Sequence, residues 1–139
     1  MIQINEFLTG LIDVVGSRDV YDIASHFEIK IIKDNPEQNP MLLLTEGVYI
    51  RDLNDKEIII IRDDLENEKQ VIAHELGHAL LHVEEDITYY GNAKGRMELE
   101  ADYFATKLLY PDYKIEEGKT VQELSQVLKI KPNQVAYLK

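Results

Sequence analysis

The sequence predicts an α+β fold: a short antiparallel or mixed sheet packed on a helix that carries His74-Glu75-Leu76-Gly77-His78, a second long helix after it, and a short helical tail. Three observations predict it. Residues 3–15, 17–27 and 67–83 repeat apolar side chains at helical spacing. Residues 29–32, 48–51 and 57–62 are short apolar runs with β-branched side chains, which mark strands. The chain of 139 residues has no cysteine, so it makes one domain that buries about two-thirds of its unfolded surface and holds together without disulfides.

The elements follow in order. Ile4, Phe7, Leu8, Leu11, Ile12 and Val15 define a first helix, broken at Gly16-Ser17. Ser17 is the expected N-cap of a second helix with Val20, Ile23, Ala24 and Phe27 on one face. Ile29–Ile32 reads as a strand, and Asn35-Pro36 as a turn. Met41–Thr45 and Val48–Arg51 read as strands around Glu46-Gly47, followed by a turn at Asn54-Asp55-Lys56. Glu57–Arg62, with four consecutive isoleucines, reads as a strand buried on both faces. These strands read first as core sheet, with an exposed edge for an extended peptide as the alternative.

Asn67-Glu68-Lys69-Gln70 fits a capping box and opens the motif helix, which runs to Val83 with Ile72, Leu76, Ala79, Leu80 and Val83 on its packing face. A loop with Gly91 and Gly95 leads to a helix from Arg96 to Tyr110, stopped by Pro111, with Met97, Ala101, Phe104, Ala105 and Leu108 as its core stripe. The domain is therefore placed at 1–111, and residues 112–139 form a tail. In it Thr120–Glu123 caps a helix with Val121, Leu124, Val127 and Leu128 inside, and Pro132 opens a last short helix.

Composition excludes several function classes. Without cysteine there is no thiolate nucleophile and no thiolate metal ligand. A net charge of -11 repels phosphate, which makes nucleic acid a poor partner and favours a divalent cation or a basic protein. No apolar run approaches the roughly 18 residues of a membrane span, and the N-terminus has no basic, export-type start, so a cytoplasmic protein is expected.

The chemistry concentrates in H-E-x-x-H. His74 and His78 lie roughly 40° apart around a helix and about 6 Å apart along it, within reach of one metal ion. Glu75 stands beside that ion as a proton acceptor. A catalytic zinc site needs a third protein ligand, which here must be His, Asp or Glu. His82 lies about 12 Å of rise beyond His74, too far to share the ion, and His26 reads as structural. On the second long helix Glu98 falls roughly 60° from the core stripe and Glu100 roughly 100° away on the other side. Asp102 shares the Glu98 side and can take a ligand imidazole's free N–H, so Glu98 is the preferred third ligand and Glu100 the alternative. The expected reaction is zinc-assisted peptide hydrolysis with Glu75 as base, and Tyr89, Tyr90, Tyr103 and His82 are oxyanion-donor candidates that the sequence does not separate.

Val71–His82, then Glu98-Leu99-Glu100-Ala101-Asp102-Tyr103-Phe104-Ala105 and Leu108-Leu109-Tyr110-Pro111, resemble the ImmA/IrrE metallopeptidases, gluzincin-like H-E-x-x-H proteins. The likeness is specific over 57–111 and looser over 20–32; Tyr110 stands where the family often has Met. It implies a small zincin-like domain with zinc on His74, His78 and Glu98, and Glu75 catalytic. It also implies a protein substrate, a helix-turn-helix repressor cut at one place to derepress genes, often in phages and mobile elements. A non-catalytic regulatory module with a retained zinc site is the competing reading, and the intact Glu75 speaks against it. A third reading, DNA binding through the helix-turn-helix-like 124–135, conflicts with the acidic chain and leaves the tail to packing or partner binding.

Overall fold

Glu57–Arg62 is the strand around which the rest is arranged. The computed structural model describes residues 1–52, 54–82 and 92–138. Its elements are α1 (Ile2–Val15), α2 (Val20–His26), β1 (Ile29–Asp34), β2 (Gly47–Arg51), β3 (Glu57–Arg62), α3 (Glu68–Leu81), α4 (Asn92–Leu109), α5 (Val121–Leu128) and α6 (Pro132–Val135). The sheet order is β1-β3-β2, with β1 parallel and β2 antiparallel to β3. The result is the α+β fold with a small mixed sheet. Ile59 and Ile61, which share one face of the central strand, are fully buried, whereas Ile58 and Ile60 on the other face are only partly buried, so the expected burial on both faces is not met.

α3 lies across this sheet, and α4 lies against α3. The expected single packing face of α3 is too narrow a description. Val71, Ile72, Ala73, Leu76, Gly77 and Ala79 are all buried, because sheet, α2 and α4 enclose the helix from several sides. The α4 stripe holds as expected, with Met97, Ala101, Phe104, Ala105 and Leu108 buried. Among the described residues no helix is long and apolar enough to cross a membrane.

Several local expectations give way to specific competitors. Met41–Thr45 is not a strand: Pro40–Leu43 forms one 3-10 turn, begun by Pro40, whose ring presets a helical φ and lacks the N–H a ladder needs. Leu42 anchors this turn inside, and Leu43 and Leu44 face outward. Asp19, not Ser17, caps α2, accepting from Tyr21 and Asp22 N–H, while Ser17 donates to the Asp22 carboxylate. Asn67 precedes α3 without a side-chain cap, because its backbone (φ -110°, ψ 40°) leaves the extended region a cap requires. The last residue of that supposed box, Gln70, is buried and meets Gln134 of the tail instead. α3 ends at Leu81 with His82 as its C-cap; Val83 and Gly91 lie outside the described residues. Gly95 falls within α4 on an open face, not in a loop.

The tail folds back onto the body. Leu124, Ile130, Val135 and Leu138 form a second small core with Tyr110, Tyr113 and Leu128. Thr120 and Glu123 form the expected capping box. Val121 and Val127, expected inside, are exposed, because the α5 face that packs is narrowed to Leu124 and Leu128.

Candidate metal centre

The site begins at a crossing of two small residues. A Cβ built on Gly77 would lie 3.1 Å from the Ala101 Cα and 3.3 Å from both the Ala101 Cβ and the Phe104 ring. At that point α3 and α4 approach almost backbone to backbone. His74 and His78 stand three residues before and one after Gly77; Glu98 and Asp102 stand the same way about Ala101. The close approach therefore sets both imidazoles against both carboxylates.

The distances follow. His74 Nε2 is 3.1 Å from Glu98 Oε2, and His78 Nε2 is 2.9 Å from Glu98 Oε1. The other ring nitrogens have their own partners. His74 Nδ1 meets Asp102 Oδ1 at 2.8 Å, and His78 Nδ1 meets His82 Nδ1 at 3.0 Å. His82 Nε2 in turn lies 3.3 Å from Glu100 Oε1. Glu98, and not Glu100, is thus the acid that faces both motif histidines. Glu100 and His82 back His78 from the far side.

Burial and charge shape the proton affinities. Burial lowers the basicity of His74, but Asp102 and Glu98 beside it more than offset this and push it up to about 9. The two imidazoles hold the Glu98 carboxyl well below the usual carboxylate range. Burial raises the Asp102 carboxyl, yet His74 and Lys131 pull it below its ordinary value overall. Glu75 is 9% exposed, and burial pushes its carboxyl up while His74 and His78 oppose the shift and the Tyr49 backbone N–H donates to it.

The donor set suits a divalent metal. One ligand atom each from His74, His78 and Glu98 lies within 4.8 Å of the others, the one such group found among the described residues. The Nδ1 atoms are occupied, so the Nε2 lone pairs converge on the same point as a carboxylate oxygen. Two imidazoles, one carboxylate and no thiolate match the zinc preference for three protein ligands with one open position.

These residues open into a cleft of about 640 Å³. Gly47, Val48 and Tyr49 of β2 line one side; Gln70, Val71, His74, Glu75 and His78 of α3 line the floor. Lys129, Ile130, Lys131 and Gln134 of the tail line another side. Lys129 also pairs with Glu66 at 3.2 Å, joining the tail to the segment before α3.

The orientation of β2 follows from its pairing. The Arg62 N–H donates to the Glu46 carbonyl, so in this register the hydrogen-bonded pairs are Val48 with Ile60 and Ile50 with Ile58. The backbone groups of Gly47 and Tyr49 consequently face the open edge. Gly47 is required there, since a Cβ would sit 2.6 Å from Val71 Cγ1.

Of the oxyanion candidates, Tyr103 does not line the cleft: it donates to Asn5 Oδ1 and meets Tyr137 edge to face. His82 is buried behind His78, and Tyr89 and Tyr90 lie outside the described residues. His26 is exposed at the end of α2, against Phe27. Sequence reasoning missed the tail's part in the cleft. Lys131 and Gln134 reach it by contacts between distant parts of the chain, which no local pattern announces; the nearest signal was Pro132, which starts α6 beside them.

A family model, Peptidase_M78, described as the IrrE N-terminal-like domain, matches residues 24–137 and so includes both ligand-bearing helices and the tail. The chain is similar to Metallopeptidase ImmA of Bacillus subtilis (strain 168), at 30% identity over 113 residues, 78% of this chain and 64% of ImmA. It is similar to Uncharacterized immunity region protein 2 of Bacillus phage phi105, at 30% identity over 138 residues, 93% of this chain and 84% of that protein. The chain thus spans a little under two-thirds of the length of ImmA.

Proposed function

The chain belongs to the Peptidase_M78 family of IrrE N-terminal-like domains, and from that premise we propose that it is a zinc-dependent endopeptidase that cuts a helix-turn-helix repressor at one place and so derepresses the genes it silences. The observation that carries the reading is the convergence of His74, His78 and Glu98 in a cleft that also buries Glu75. Zinc held by those three residues supplies Lewis acidity to the scissile carbonyl and to the attacking water.

The chain's own residues do the rest. Glu75, with its carboxyl raised by burial, takes the proton of the attacking water and passes it to the leaving amine. Asp102 holds the His74 ring through Nδ1, and His82 does the same for His78. The open edge of β2 offers the backbone groups of Gly47 to an extended substrate segment, which would add as a further strand. That geometry suits an exposed, unfolded stretch of a protein better than a packed one.

The substrate class rests on two supports. One relative is a phage immunity region protein, which fits a role beside a repressor. The acidic surface, at -11, also suits the basic surface of a DNA-binding protein and speeds their encounter. The test mixes the zinc-loaded protein with the helix-turn-helix repressor encoded beside its gene and reads the products by mass spectrometry. A single cut, absent with Glu75→Gln that still holds zinc, is the expected result. An intact repressor beside a zinc-loaded wild type rejects the substrate, and general digestion of casein rejects a dedicated regulatory peptidase.

A further inference from the structure

Asp102 is held from two directions. One comes from α3: Oδ1 lies 2.8 Å from His74 Nδ1. The other comes from the tail: Lys131 Nζ lies 3.1 Å from Oδ1 and 3.2 Å from Oδ2, and Asn133 Nδ2 lies 3.4 Å from Oδ2. The Asp102 side chain is 6% exposed, while that of Lys131 is 58% exposed. A carboxylate so enclosed needs partners on both oxygens, and Glu98 and Glu75 crowd the same cleft with like charge.

The tail backbone is built to deliver this amine. Gln134, buried at 3%, accepts from the Lys131 N–H at 2.9 Å and donates to Thr106 Oγ1 at 2.9 Å. Ile130 is buried on one side of Lys131, and Pro132 starts α6 on the other. The position of Lys131 is thus set by its neighbours, although its stem lies in solvent.

We propose that Lys131 is a positioning residue of the metal site, which orients the His74 imidazole for zinc by fixing the Asp102 carboxylate from the tail. The inference rests on the zinc site proposed above and not on peptidase activity. Its sign separates it from simpler roles. A cation near a dication repels it, so a bystander charge would weaken zinc binding and its removal would tighten it. A positioning residue does the reverse. Without Lys131 the Asp102 carboxylate is free to turn, and His74 loses its anchor.

The test measures zinc affinity by chelator competition for the wild type, Lys131→Met and Lys131→Arg, with thermal unfolding of each metal-free protein alongside. Loss of a direct partner of a ligand histidine costs about 10–100-fold in affinity, so Lys131→Met, one step further out and half-exposed, should lose about 3–10-fold. Lys131→Arg should restore most of that loss. The His74 Nδ1 proton resonance of the zinc-loaded protein should broaden or shift in Lys131→Met and return in Lys131→Arg. Equal or tighter zinc binding by a folded Lys131→Met overturns the inference, as does a loss that Lys131→Arg does not repair. A Lys131→Met chain that does not fold also overturns it, since Lys131 would then be structural. A wild type that takes up no zinc would defeat the metal reading itself, a different outcome from wild-type uptake unaffected by Lys131→Met.

Discussion

Gly77→Ala probes the crossing on which the whole site depends. The added methyl would lie 3.1 Å from the Ala101 Cα and 3.3 Å from the Ala101 Cβ, so α3 and α4 must part by a few tenths of an ångström. Backbone atoms cannot rotate aside as a flexible side chain can. Overpacking of this kind costs about 1–3 kcal/mol, and Ala in a helix interior returns about 1 kcal/mol relative to Gly. The net is a destabilisation of about 0–2 kcal/mol, or at this size a melting temperature lower by up to about 8 °C. The effect on metal should be larger in proportion, because the contacts that converge on Glu98, at 2.9 and 3.1 Å, span the same gap. Zinc affinity should therefore fall by at least about tenfold while the fold persists. The assays are circular dichroism melting without metal and chelator competition with it. Ala101→Gly added to Gly77→Ala should recover part of the zinc affinity, since it removes the Cβ at 3.3 Å but leaves the Ala101 Cα at 3.1 Å. A Gly77→Ala protein that is more stable than wild type and binds zinc equally well would refute the close-approach argument.

Three further expectations follow from named contacts. Glu98→Ala should lose stoichiometric zinc and Glu100→Ala should keep most of it, read by metal analysis after dialysis, because only Glu98 meets both imidazoles. Gly47→Ala should leave zinc affinity near wild type but lower kcat/KM on the protein substrate, since the methyl would strike Val71 at 2.6 Å and push the β2 edge out of line; unchanged cleavage would count against substrate addition at that edge. Glu68 has its carboxyl held below its ordinary value of 4.5, first by Lys33 and then by Tyr21. The stability this gives is complete above that ordinary value and fades as pH falls through the lower folded value. Glu68→Gln should thus be less stable than wild type at pH 7, with the gap closing below about pH 4 in urea melts; a gap constant with pH would remove the ion pair as its source.

How much was legible depended on the range of the determining contacts. The two ligand helices were legible because their apolar periodicity and their acids repeat within a few turns. Glu98 could be preferred over Glu100 from its angle and from Asp102 on the same side, and Glu98 is the acid that lies against both imidazoles. Met41–Thr45 reads as a strand because its leucines are apolar enough for one, but Pro40 ahead of it starts a 3-10 turn. The cap at Ser17 failed because Asp19 was a stronger acceptor two residues on. Nothing local could show that Gln70 would abandon a capping box for Gln134, or that a tail of balanced charge would reach Asp102. Such contacts join residues far apart in sequence, and periodicity carries no information about them.

The placement of Lys131 has a consequence for the order in which the protein is made. Synthesis runs from the N-terminus, and both ligand-bearing helices have been synthesised by Leu109. The residues between Leu109 and Lys131 take about 1–5 s to translate at about 5–20 residues per second. During that interval a nascent chain has His74, His78 and Glu98 but lacks the side of the cleft formed by residues 129–134. Its Asp102 has no counter-charge from the tail, and Gln70 and Thr106 have not met Gln134. A ribosome that stalls in that stretch therefore holds an incomplete site, and the cleft is closed on that side only once residues 129–134 have been made.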